Sequence, residues 1–202
     1  MKTRIVAMWF LLLLAVQPLG TAFGQAADSL LTVSPAMLKR VDQDAEATLL
    51  RLYRQSPRAQ ALIARSFGVL VVPALHADGG ILGVAYGSGV LIDALGDRSY
   101  YNVIGSPPGS VLGLNDKALI LFFSTYESLR AFEATPGWVE GHNGSIQILD
   151  ESSMANQRSP AIEPIGGFIL SANGLASGLS LKGSLFIKVP IYLCTEEAAY
   201  CR

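Results

Sequence analysis

The most restrictive stretch of this chain is residues 81–92, where small and bulky residues alternate. One parity reads Gly83, Ala85, Gly87, Gly89, and the other reads Leu82, Val84, Tyr86, Ser88, Val90. Successive side chains of a strand point to opposite faces, so this strand would carry one bulky face and one nearly bare face. Glycine weakens a strand and marks a bend, a bulge or the close approach of another backbone. Residues 175–185 repeat the pattern, with Leu175, Leu179, Leu181 and Leu185 on one side and Ala176, Gly178, Ser180 and Ser184 on the other. Two such strands predict tight curvature or an element packed closely on the bare side. A smooth groove for an acyl chain is the functional alternative.

The rest of the chain sets these strands in an α+β frame. Ser34-Pro35 reads as a helix N-cap followed by proline at the first helical position. Leu38, Val41, Ala45, Leu49 and Leu52 then recur at three- and four-residue steps as one apolar stripe. Ser56-Pro57 ends that helix and starts a second, with Ala59, Leu62 and Ile63 on its inner face. Beyond Phe67 the pattern turns to short β-rich runs: 69–72, 81–92, 100–104, 118–123, 145–149, 165–170, 175–181 and 185–191. One helix interrupts them, announced by the capping-box spacing of Ser124-Thr125-Tyr126-Glu127 and continued by Leu129 and Phe132 to about Glu133. The expectation is a mostly antiparallel sheet or barrel-like body, with an N-terminal helical segment and one further helix.

Lys2 and Arg4 precede an apolar stretch at 5–16, shorter than the roughly 20 residues needed to cross a bilayer. Pro18 and Gly20 follow, and Ala22-Phe23-Gly24 places small residues at the two positions a signal peptidase reads. Residues 1–24 therefore read as a signal peptide cleaved before Gln25, and the mature chain as periplasmic or secreted. An uncleaved N-terminal anchor is the alternative. Residues 25–33 form a short lead, 34–191 one domain with its helices at 34–66, and 192–202 a tail. Cys194 and Cys201, the only cysteines, both lie in that tail. In an oxidising compartment they are a candidate disulfide, with two unpaired thiols as the alternative. Removing the leader leaves 178 residues with 13 basic and 16 acidic side chains. That size suits a single well-filled core, and the mildly acidic balance argues against general nucleic-acid binding.

No catalytic constellation is legible. The glycines from Gly79 to Gly89 sit within β-like sequence with no helix after them, so they do not form a dinucleotide fingerprint. His76 and His142 are the only histidines and lack carboxylates at ligand spacing. There is no G-x-S-x-G elbow. The chain is therefore expected to be non-enzymatic, with no cofactor and no metal.

Charge is distributed more tellingly. Residues 34–66 hold six basic residues (Lys39, Arg40, Arg51, Arg54, Arg58, Arg65) and three acids (Asp42, Asp44, Glu46), whereas residues 67–202 hold seven basics and twelve acids. At about 100° per residue, Arg40, Arg51 and Arg54 fall within a sector of roughly 60° on the first helix. A basic amphipathic helix on an acidic body suits anionic lipid headgroups. A solvated helix face with no partner fits the charge pattern equally well.

Several pieces in order carry a family resemblance. Phe67-Gly68-Val69-Leu70-Val71-Val72-Pro73 is followed by Gly79-Gly80-Ile81-Leu82-Gly83-Val84-Ala85-Tyr86-Gly87-Ser88-Gly89, then Tyr100-Tyr101, Leu121-Phe122-Phe123-Ser124-Thr125, Phe132 with Trp138, and Gly174-Leu175-Ala176-Ser177-Gly178. Together they resemble the SYLF domain family over roughly residues 34–189. The chain departs from the family's pattern at Pro107-Pro108, where a smoother glycine-rich strand is expected. Eukaryotic relatives bind phosphoinositides and other acidic lipids, helped by a basic N-terminal amphipathic segment, and some bundle actin through additional regions. Bacterial relatives are exported or envelope proteins. What carries over is peripheral contact with anionic phospholipids through Lys39, Arg40, Arg51, Arg54, Arg58 and Arg65. Apart from the resemblance, Lys182 and Lys188 are candidates to extend the positive surface. Actin does not carry over to an exported protein. The alternative is an envelope protein-interaction or structural domain without lipid specificity, whose bare glycine faces receive a partner strand or helix.

Overall fold

Helix α1 (Pro35–Gln55) turns Ala45, Thr48 and Leu52 into the core, following the apolar stripe in the sequence. The computed structural model describes residues 35–78, 83–105, 111–156 and 163–191. The leader at 1–24, the lead at 25–33, Ser34, Gly79-Gly80, Pro107-Pro108 and the tail with Cys194 and Cys201 lie outside the described residues. α1 stops at Ser56, whose hydroxyl accepts from the Ala59 N–H at 3.2 Å and so caps α2 (Pro57–Ile63) with proline at its first position.

The strands are β1 (Gly68–Asp78), β2 (Val84–Asp93), β3 (Arg98–Gly105), β4 (Lys117–Phe123), β5 (Trp138–Val139), β6 (Ile146–Ile148), β7 (Ile165–Ser171), β8 (Gly174–Leu175) and β9 (Leu185–Lys188). They form one curled sheet, a half-barrel, in the order β5-β9-β3-β2-β1-β4-β7-β6, with β8 folded back onto β7. Every pairing is antiparallel except β6 with β7. The fold is α+β with an N-terminal helical segment, as the patterning predicts. Central strands β1 and β4 are covered on both sides, which is why they read as unbroken apolar runs rather than alternations.

Two cores result. One face of the sheet carries Val69, Val71, Val90, Ile120, Phe122 and Phe168 beneath α1 and α2. The other carries Leu70, Val72, Tyr101, Phe123, Trp138 and Phe186 around α3 (Tyr126–Ala134). Phe132 of α3 is the hub of this second core, with ring centroids 5.0–5.7 Å from those of Tyr101, Phe123, Trp138 and Phe186. α3 is capped by Thr125, one residue later than the capping-box spacing predicts. Its hydroxyl accepts from the Ser128 N–H at 3.1 Å, while the Ser128 hydroxyl donates to the Thr125 carbonyl. A short helix that the patterning did not foresee, α4 (Glu151–Asn156), follows Asp150, whose carboxylate accepts from the Ser153 N–H at 2.7 Å.

The glycine alternation of β2 has a mechanical cause. Between Val71 and His76, β1 carries one residue more than β2, and between Val72 and Leu75 one more than β4. This bulge pushes β1 toward its neighbour. A Cβ on Gly87 would lie 2.6 Å from the Ala74 oxygen and 2.8 Å from Val72 Cγ1, and one on Gly89 would collide with the Val71 carbonyl. The bare side of β2 is thus filled by Val72 and Leu75 of the same chain. Curvature, not an acyl groove or a berth for a partner strand, explains Gly87 and Gly89. The second alternating segment departs from expectation. Strand β8 covers only Gly174–Leu175, because Gly178 and Gly183 adopt φ of +70° and +80°, outside the β region.

Candidate functional site

α1 lies across the sheet with two chemically different flanks. On one, Asp42 and Glu46 meet β3. Arg98 donates to Asp42 at 2.7 Å and to Glu46 at 3.0 Å, and the Tyr100 hydroxyl donates to both Asp42 oxygens at 3.1 Å. The Glu46 and Asp42 hydrogen bonds raise the Arg98 pKa, in that order of importance. Burial, followed by the Asp42 bond, raises that of Tyr100. Two of the helix's three acids are therefore engaged by the body of the protein, with one of their two charges offset by Arg98.

The other flank faces the bulge of β1. Asp44, Thr48, Arg51 and Arg54 border Pro73 and Ala74 around a shallow cleft of about 380 Å³. Arg54 is exposed and Arg51 half-buried, and among the described residues neither has an ion-pair partner. Arg51 Nε is buried with no hydrogen-bond partner among the described residues. Leaving such a donor unmade costs about 1–3 kcal/mol. Lys39 and Arg40, three to four turns earlier, are also exposed and have no ion pair among the described residues.

The remaining candidates behave differently. Arg58 of α2 lies 3.5 Å from Glu151 of α4, and Arg65 Nε donates to the Ala61 carbonyl at 3.0 Å, serving the C-terminal turn of α2. Lys182 is exposed on the loop before β9. Lys188 does not extend the basic strip. It shares the parity of buried Phe186, on the α3 face of the sheet, and its ammonium is 4.0 Å from Glu133. The six-residue candidate set thus resolves into an unpaired group (Lys39, Arg40, Arg51, Arg54) and an engaged pair (Arg58, Arg65).

Composition could not reveal that the acids are drawn off by Arg98, since that residue lies on a strand remote in sequence from α1. Nor could it reveal that Asp44, Thr48, Pro73 and Ala74 border the same cleft as the arginines. Among the described residues, no group of three or more His, Cys, Asp or Glu side chains is placed to hold a metal ion. None of the described helices is long and apolar enough to cross a membrane. No known family model matches the chain, and no curated protein matches it.

Proposed function

We propose that this chain is a non-enzymatic lipid-binding module that touches anionic phospholipid headgroups with the Arg40, Arg51 and Arg54 flank of α1, joined by Lys39 on the adjoining outer face of the helix. The curled sheet acts as its scaffold. In the same reading it is an exported protein of SYLF type, periplasmic or secreted once residues 1–24 are removed. The family assignment rests on the ordered motifs alone.

One observation carries the reading. The cations of α1 are left without partners among the described residues, while Asp42 and Glu46, which would otherwise cancel them, are held by Arg98. Arginine suits the task because its planar fork meets phosphate oxygens in pairs and sheds water more readily than an ammonium. Each cation near an anionic leaflet contributes about 1 kcal/mol, so four give weak, reversible attachment. The bilayer need not be crossed.

Sedimentation with phosphatidylglycerol vesicles tests this. Binding is expected to exceed that to phosphatidylcholine, to fall as salt rises, and to be lost in Arg51→Glu with Arg54→Glu. Equal pelleting with neutral vesicles, or indifference to the two substitutions, would overturn it in favour of an envelope interaction domain without lipid specificity.

A further inference from the structure

α1 covers only part of its face of the sheet. Alternation along β2 places Tyr86, Ser88 and Val90 on the α1 side. Opposite them on β3 stand Ile104, Asn102 and Tyr100, and Leu185 and Ile187 continue the rows onto β9. The Val90 row lies beneath the helix and is buried. The rows beyond it are open: Tyr86 is 49% exposed, Ile104 43% and Ile187 37%. Met37, 62% exposed in the first turn of α1, borders a groove with Ser88 and Asn102 of the middle row. Large apolar side chains therefore stand on both sides of the hydrogen-bonded Ser88–Asn102 pair, Met37 toward the helix and Tyr86 with Ile104 on the open sheet.

The cations border this same area. Pro73 and Ala74, which flank the Arg51 and Arg54 cleft, come just before His76, and His76 pairs with Tyr86, with ring centroids 5.6 Å apart. At about 3.3 Å per strand residue, Pro73 and Ala74 lie roughly 7–10 Å along β1 from His76, with Tyr86 one strand beyond it and Ile104 two. Asp42 and Glu46 are on the opposite flank of the helix, toward Arg98. An apolar patch bordered by Arg51 and Arg54, with Asp42 and Glu46 turned away and Asp44 the one acid of α1 at the cleft, complements an anionic bilayer surface, where phosphates lie above hydrocarbon. Tyrosine, an apolar ring with a polar tip, favours that boundary.

We propose that the membrane-contacting surface of this protein extends from α1 onto the open sheet, with Tyr86 and Ile104 entering the headgroup–acyl boundary while Arg51 and Arg54 hold the phosphates. This inference rests on the headgroup reading above and adds an apolar component to it. The occupant is an anionic leaflet.

The test uses the chain from Gln25, which keeps every described residue and removes Trp9, and carries Tyr86→Trp. Trp138, 2% exposed in the other core, then supplies a constant background. With phosphatidylglycerol vesicles the new indole is expected to shift to the blue and to be quenched by bromine-labelled acyl chains. Tyr86→Thr with Ile104→Thr, which keeps β-forming side chains, is expected to weaken vesicle binding roughly tenfold at fixed salt. Vesicle-bound protein whose introduced indole shows no shift would overturn the inference and leave the headgroup reading standing. No binding by the unsubstituted chain would overturn both. A blue shift that grows with protein concentration in the absence of vesicles would assign the patch to a second copy of the chain and overturn the membrane assignment.

Discussion

Arg98 donates to Asp42 at 2.7 Å and to Glu46 at 3.0 Å, so one strand side chain engages both carboxylates and offsets one of their two charges on the helix that carries the basic flank. The contact docks α1 on β3 and also leaves that flank cationic. Arg98→Met is expected to lower stability by about 1 kcal/mol, because these pairs are partly exposed and screened. It should also weaken binding to anionic vesicles, since the two released carboxylates repel the same phosphates. Adding Asp42→Asn and Glu46→Gln to Arg98→Met should restore binding without fully restoring stability. Thermal melting and vesicle sedimentation on the wild-type, single and combined variants separate the two effects.

The six basic residues named from the sequence should not contribute equally. Arg40→Gln and Arg54→Gln each remove an exposed, unpaired charge and are expected to weaken vesicle association about fivefold, corresponding to roughly 1 kcal/mol per cation at an anionic surface. Arg58→Gln and Arg65→Gln remove cations that already serve Glu151 and the Ala61 carbonyl, and should change association less than twofold. Titrating each variant with phosphatidylglycerol vesicles at one ionic strength decides the matter. A uniform loss across all four would mean that overall charge, not the α1 flank, governs attachment.

Much of the fold is legible in the sequence because local pattern and tertiary demand agree. Ser56-Pro57 breaks and restarts the helix as its chemistry requires, and the unbroken apolar runs of β1 and β4 become strands buried on both sides. Legibility fails where the deciding contact is distant. The cause of Gly87 and Gly89 is a bulge on another strand, which no window on β2 contains. The expected strand at 175–181 fails because Gly178 leaves the β region, and leucine periodicity does not report φ. For the site, spacing on the helix located Arg40, Arg51 and Arg54, but sorting paired from unpaired cations required the positions of Arg98 and Glu151.

The bulge makes a sharp claim about Gly89. Its missing side chain is the space into which the Val71 carbonyl and Val72 project, so Gly89→Ala must separate β1 from β2 at the centre of the sheet. Overpacking of this kind costs about 1–3 kcal/mol, and the upper end is expected because backbone rather than a flexible side-chain tip is in the way. Gly96→Ala is the control for glycine's conformational freedom alone, since that turn residue has φ of +89° with open space around it. Urea denaturation should show Gly89→Ala as the more destabilising of the two. The reverse order would mean that β1 does not approach β2 so closely.

Tyr101 sits in the α3 core, 1% exposed, with a hydroxyl that has no hydrogen-bond partner among the described residues. Burial raises its pKa well above the usual tyrosine value of 10.0, and the nearby Glu133 carboxylate adds to the effect. The folded state therefore favours the protonated phenol more than the unfolded chain does. The contribution from this difference is fully present below about pH 10 and is lost as pH rises from there toward the raised value. Tyr101→Phe keeps the ring against Phe132 while deleting both the unsatisfied hydroxyl and the alkaline liability. It is expected to be neutral to about 1 kcal/mol stabilising near pH 7, where only the desolvated hydroxyl matters. Its advantage should widen above about pH 10, where the wild-type phenol ionises on unfolding. Urea denaturation of both proteins at neutral and alkaline pH measures the difference, and the comparison cancels the titration of Tyr53 and Tyr100, which both retain. A loss of stability at neutral pH would show that the hydroxyl is held by a bond and is not an unpaired group in the core, and a difference that stays constant into alkaline conditions would show that its pKa is not raised.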